Sequence, residues 1–215
     1  MITFDTVSPD EMEAMCTPMH RILSPDPSSA TGALYLGSMA AMHDRDLLQE
    51  HKIFHIVQIL EVPWQPQDEE STAFSYHRID LEDNSSAALR SHLAAACDYI
   101  HASLSCGENV LVHCQQGVSR SAAIVIAYLI REHAMGYDAA CALVKARRAC
   151  IRPNSGFVVV LRDWETACVM RSKSPISIPA PATKLDDKAK APNRHDVMNK
   201  IEKRALSDTS NSGSG

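Results

Sequence analysis

Apolar positions along this chain switch between helical and alternating spacings, and the switches mark out its elements. Ser8, Pro9 and Glu11 read as a helix start: a serine cap, proline at the first helical position and glutamate three residues after the cap. Pro18 ends that helix, and residues 24–29 are a loop by composition. Ala33, Leu34, Tyr35 and Leu36 form a short apolar strand before Gly37, residues 39–51 suit a helix, and the β-branched run at 53–60 predicts a buried strand. A polar, proline-bearing loop over 63–72 leads to another strand at 74–81. Leu89, Leu93, Ala96, Cys97, Ile100 and Leu104 then fall on one helical face. Val110, Leu111 and Val112 make a short, fully apolar strand, and residues 122–133 are apolar nearly all round, which marks a central buried helix. Helices over 137–148 and 157–171 follow, separated at Pro153.

Strands alternating with helices predict an α/β sandwich with a largely parallel sheet. Beyond Ser172 the aromatics vanish and Pro, Ala, Ser, Lys and Asp dominate. The chain therefore divides into an N-terminal helical segment at 1–19, one domain at 20–171 and a disordered tail at 172–215, with a helical turn near 197–205. At 215 residues and 45% hydrophobic, it can bury one sizeable core and is short for two.

Charge and cysteine usage narrow the function classes. The net charge of -5 is unevenly spread: residues 172–215 carry eight Lys/Arg against five Asp/Glu, the rest 13 against 21. A domain so acidic carries no electrostatic footprint for nucleic acid or anionic lipid, so neither is expected as a partner. No apolar run approaches the 18 or more residues of a membrane helix, and the N-terminus lacks the pattern of a secretory signal. Seven scattered cysteines with no CxxC pair suggest neither a disulfide framework nor a zinc site. Together these features predict a protein of the cytoplasm or nucleus.

One cysteine stands apart. The apolar strand at 110–112 runs through His113 into Cys114, Gln115, Gln116, Gly117, Val118, Ser119 and Arg120, and a buried helix begins immediately afterwards. Such a loop can curl around an anion with its N–H groups inward, reinforced by the next helix's N-terminus. Gly117 allows the curl, and Arg120 offers a planar fork to two phosphate oxygens. The same field favours an ionised Cys114 sulfur, a nucleophile aimed at phosphorus that forms a phospho-cysteine for water to hydrolyse, with no metal or cofactor required. Cys141 and Arg147 share this spacing, but the intervening residues are good helix formers with no glycine and no preceding strand. That pairing is a helix segment.

The run from His113 to Ser121 resembles the HCxxGxSRS signature loop of dual-specificity protein phosphatases. The resemblance extends to residues 33–38, to 127–130, and to Arg147, Arg148, Ile151, Arg152, Pro153, Asn154 and Phe157, and it spans roughly residues 20–170. It implies a five-stranded mixed sheet flanked by helices, with the active loop between the central strand and its helix. It also implies an Asp general acid on a loop upstream: Asp83 best matches, with Asp80 the alternative and loop solubility the bland reading. Ser121 is implied to stabilise the departing sulfur, though it could equally cap the helix. His113 is expected to hydrogen-bond within the loop or to be a plain buried histidine. Arg152 and Asn154 are expected either to support the loop from behind or to anchor the turn. Val160 stands where relatives often have Gln, and with so few residues ahead of the first domain strand no kinase-docking domain is expected there, so the chain resembles a small, atypical member.

The reading is thus a protein phosphatase acting on phosphotyrosine and phosphoserine or phosphothreonine. Alternatives are a phosphatase of phosphoinositides or RNA 5′-phosphates and a non-catalytic phospho-binding module. Neutral Gln115, Gln116 and Val118 differ from the Lys-bearing loops of lipid-directed relatives, and Ser119 from the Asn common in RNA-directed ones.

Overall fold

A computed structural model describes residues 7–26, 28–61 and 74–173. Along the chain the elements are α1 (Pro9–Cys16), β1 (Met19–Leu23), β2 (Leu34–Gly37), α2 (Met39–His43), α3 (Arg45–Glu50), β3 (Ile53–Leu60), β4 (Ser75–Asp80), α4 (Arg90–Ser105), β5 (Asn109–His113), α5 (Arg120–Glu132), α6 (Tyr137–Arg147) and α7 (Ser155–Lys173). The loop expected at 63–72 and the tail beyond residue 173, with its helical turn at 197–205, lie outside the described residues. Met1–Gln65 and Tyr76–Pro175 group into one compact unit; the second unit, Pro66–Ser75 with Ile176–Gly215, falls almost wholly outside the described residues.

The five strands form one mixed sheet in the order β1-β2-β5-β3-β4. The most apolar strand is its centre: Val110, Leu111 and Val112 of β5 are fully buried, each contributing roughly 1.5–3 kcal/mol of apolar burial. β2 and β3 flank it in parallel, pairing Gly37 and Gln58 with His113. The helices shield these strands, and α5 lies in the core with every residue from Arg120 to Ile130 buried. Trp164 of α7 packs against it and donates its indole N–H to the Ala127 carbonyl at 3.1 Å. Parallel strands leave the sheet at the same end, so the loop after β5 emerges among the C-terminal ends of its neighbours, where open α/β sheets build their sites.

Two elements depart from the sequence expectation. β1 was not foreseen: Met19 and Ile22 are buried while His20 and Arg21 between them are not, which breaks the alternation that signals a strand. It pairs antiparallel with β2, with an irregularity between Arg21 and Leu23. The single helix expected at 39–51 is two, because the Asp44 carboxylate accepts from the Leu47 amide at 3.0 Å and starts α3 afresh. The Ser8 start holds as expected: its hydroxyl accepts from Glu11 N–H at 3.2 Å, and its own N–H donates to the Glu11 carboxylate at 3.0 Å. Among the described residues no helix is long and apolar enough to cross a membrane.

Candidate active site

The chain leaves the sheet at Cys114, curls through residues 115–119 and enters α5 at Arg120. At the tightest point Gly117 has φ +68°, and a Cβ there would sit 2.5 Å from the Gly37 carbonyl oxygen and 2.8 Å from a guanidinium nitrogen of Arg148. Only glycine fits.

The carbonyls of this loop face outward. Gln115 O accepts from Met39 N–H at 3.2 Å and Val118 O from Arg152 N–H at 2.8 Å. Gln116 O and Gly117 O accept from Arg148 Nη2 and Nε at 3.1 and 2.9 Å. In a trans peptide the carbonyl and the next N–H point in opposite directions. Four outward carbonyls therefore turn the amides of Gln116, Gly117, Val118 and Ser119 inward. The Gly117 amide duly reaches Cys114 Sγ at 3.2 Å.

Cys114 is 2% exposed, and its sulfur accepts a second hydrogen bond from Ser121 Oγ at 3.2 Å. Two donors converging on one sulfur suit a thiolate acceptor. Ser121 sits one residue inside the start of α5 and spends its hydroxyl on the sulfur; the helix has no side-chain cap. Cys114 and Arg120 line a cavity of about 220 Å³ with Gln115, Gln116, Val118 and Ser119, and Asp83 closes it from the loop after β4. Of the two acid candidates, the fold brings Asp83 to this cavity and leaves Asp80 exposed at the end of β4.

Arg120 is buried and held from one side. Its Nη1 donates to Glu61 Oε1 and to the Leu81 carbonyl, both at 3.2 Å. Among the described residues its Nε has no hydrogen-bond partner, and it lies 3.8 Å from Asp83 Oδ2, too far for one. A buried N–H without an acceptor is the group an incoming anion satisfies. Asp83 is also fixed: its Oδ1 accepts from Ser119 Oγ at 2.6 Å and Asn154 Nδ2 at 2.9 Å.

His113 requires a correction. Its ring is fully buried, neither nitrogen has a partner of good hydrogen-bond geometry among the described residues, and it is absent from the cavity lining, so it is not a substrate-binding group as expected. Burial lowers its pKa to about 4, against a smaller raising effect from the Cys114 backbone, and His43 lowers it slightly. The ring supports the loop as packing.

Sequence reasoning missed two contributors. Glu61, at the end of β3, is the carboxylate on Arg120. Arg148, fully buried, holds the loop from behind, a role expected instead of Arg152 and Asn154. Besides two loop carbonyls it donates to Thr17 O at 3.0 Å and to His20 Nδ1 at 2.9 Å. Burial lowers its pKa, and the His20 pKa falls for the same reason and because the guanidinium is adjacent. Arg152 supports the loop through its backbone N–H alone, its side chain being exposed, whereas Asn154 works through Asp83 and through its own N–H on Ser119 Oγ at 3.2 Å. The only legible signal for Arg148 was its place in the pattern after α6.

Known proteins give the same outline. The model of the dual specificity phosphatase catalytic domain matches residues 34–167. The chain is 35% identical over 142 residues to dual specificity protein phosphatase 1B of Arabidopsis thaliana, covering 65% of this chain and 82% of that one. It is 36% identical over 129 residues to dual specificity protein phosphatase MPK-4 of Drosophila melanogaster, covering 60% of this chain but 33% of that longer protein. The crystal structure of DUSP15 superposes with a TM-score of 0.62 at 31% identity, covering 71% of this chain and 90% of that one. With the family model spanning most of the chain and the fold matching in parallel, this chain belongs to the dual specificity phosphatases, hydrolases of the cysteine-based protein phosphatase superfamily.

Proposed function

We propose that Cys114, Arg120, Asp83 and Ser121 carry out two-step hydrolysis of phosphorylated tyrosine, serine and threonine side chains. The Cys114 thiolate attacks phosphorus, an S–P bond forms, and the P–O bond to the substrate side chain breaks as Asp83 gives its proton to the departing oxygen. Water then attacks phosphorus and passes its proton to the Asp83 carboxylate. The S–P bond breaks with its electron pair returning to sulfur, where the Ser121 hydroxyl donates. Arg120 and the inward amides of residues 116–119 hold the phosphoryl oxygens through both steps. The steps call for no metal or cofactor.

The observation that carries this reading is the convergence of two hydrogen-bond donors on the Cys114 sulfur in a cavity bounded by Asp83 and a guanidinium with an unsatisfied Nε. The neutral side chains Gln115, Gln116 and Val118 suit a lone phosphomonoester on a protein better than a polyanionic headgroup. All seven cysteines are unbridged, as suits a reducing compartment, so we infer action in the cytoplasm or nucleus on phosphoproteins.

Hydrolysis of a small aryl phosphate, with and without Cys114→Ser, tests the chemistry, and rapid quenching should trap a phosphoenzyme on Cys114. A serine variant as active as the parent would remove Cys114 from the mechanism. Assays of phosphoinositides and 5′-triphosphate RNA beside phosphopeptides test the substrate class; faster turnover on either would reassign it.

A further inference from the structure

A second cavity of about 490 Å³ adjoins the first and shares Asp83, Val118 and Ser119 with it. Val7 and Met15 line it from the N-terminal segment and Val118 and Pro153 from the loop side, all partly exposed. Arg152 stands in its wall with a side chain 71% exposed. Among the described residues the carboxylate paired with it is Glu11, 4.0 Å away and already committed through its other oxygen to the Ser8 N–H that starts α1. The Arg152 charge is therefore only weakly compensated.

We propose that this groove is a specificity subsite for the substrate polypeptide, seating an apolar side chain beside the phosphorylated residue and pairing Arg152 with an acidic residue next to it. The inference rests on the phosphatase reading above. Continuity decides the occupant: with a phosphoryl group on the Cys114 loop, the substrate backbone passes Asp83 and Val118, the residues at which the two cavities meet. The lining decides its chemistry. Four apolar side chains favour an aliphatic neighbour, and the exposed guanidinium favours an acidic residue at the position next to that neighbour. α1 thereby becomes a recognition element rather than a cover.

The test uses the full chain and four phosphotyrosine peptides, with Leu or Ser flanking the phosphotyrosine and Glu or Lys at the next position outward, alongside a small aryl phosphate. The peptide carrying Leu and Glu should be preferred. Met15→Ser should reduce the Leu-over-Ser ratio of kcat/KM by roughly tenfold, the scale for losing a hydrophobic pocket contact. Arg152→Glu should shift the Glu-over-Lys ratio by roughly fivefold and reverse its sense. Glu11→Gln should strengthen the Glu preference by leaving Arg152 unopposed. Unchanged ratios in all three variants, with aryl phosphate still turned over, would overturn the groove and leave the phosphatase reading standing. Absence of turnover on every substrate by the unsubstituted chain would overturn both.

Discussion

Asn154 donates its side-chain amide to Asp83 Oδ1 at 2.9 Å, joining residues 71 apart in sequence. The Ser119 hydroxyl takes the same oxygen, so Asp83 is gripped by one oxygen and leaves Oδ2 on the Arg120 side. Under the proposed mechanism, a carboxyl group so held needs no search for its position when a leaving group arrives.

Asp83→Asn should reduce kcat by about 10²–10⁴-fold on phosphotyrosine peptides. The loss should be much smaller on an aryl phosphate whose leaving group needs no proton. Equal losses on both substrates in steady-state assays would argue against Asp83 as the acid. Asn154→Ala should produce a milder loss with the same leaving-group dependence.

Gly117→Ala should abolish turnover while leaving the fold largely intact. The added methyl meets the Gly37 carbonyl oxygen at 2.5 Å and requires a residue with a side chain at φ +68°. Binding of inorganic phosphate or vanadate should be lost with activity. Retention of either at parental strength would show that the curl tolerates a side chain.

Arg148→Met should destabilise the protein by about 3 kcal/mol and lower Tm by roughly 10 °C, since it strips three carbonyls and His20 of a buried charged donor. Arg148→Lys keeps the charge but cannot fork to four acceptors, and should recover only part of the loss. Full recovery by lysine in thermal melts would mean that charge alone holds the loop.

Stability should decline as pH falls from 6.5 towards 4. His113 is neutral in the folded state, with a pKa lowered by burial to about 4 from 6.5. Its contribution is whole above about 6.5 and is lost on acidification, by about 3 kcal/mol for the full shift. Burial shifts His20, His55, His77 and His133 in the same direction. Urea denaturation across this interval reads the sum, and an NMR titration of His113 with a midpoint near 6.5 would contradict its share.

Much of this was legible because the local signals were strong. The buried strand at 53–60, the apolar β5 and the run from Cys114 to Arg120 each combine composition with context. What escaped depends on partners distant in sequence. β1 is a strand because β2 offers it an edge, and its own residues alternate poorly. Arg148 looks like a helix-end cation until the fold buries it under a loop 31 residues earlier. Asp44 divides a helix whose apolar spacing continues across the break.

The anchoring of Thr17 and His20 on Arg148 bears on how the protein can be trimmed. A fragment cut at 34–167, the bounds of the family-model match, would discard β1 along with two acceptors of the guanidinium behind the Cys114 loop. Such a piece would carry the proposed catalytic residues on a slackened loop, and constants measured on it would understate the parent's. The smallest unit that keeps both contacts starts no later than Thr17.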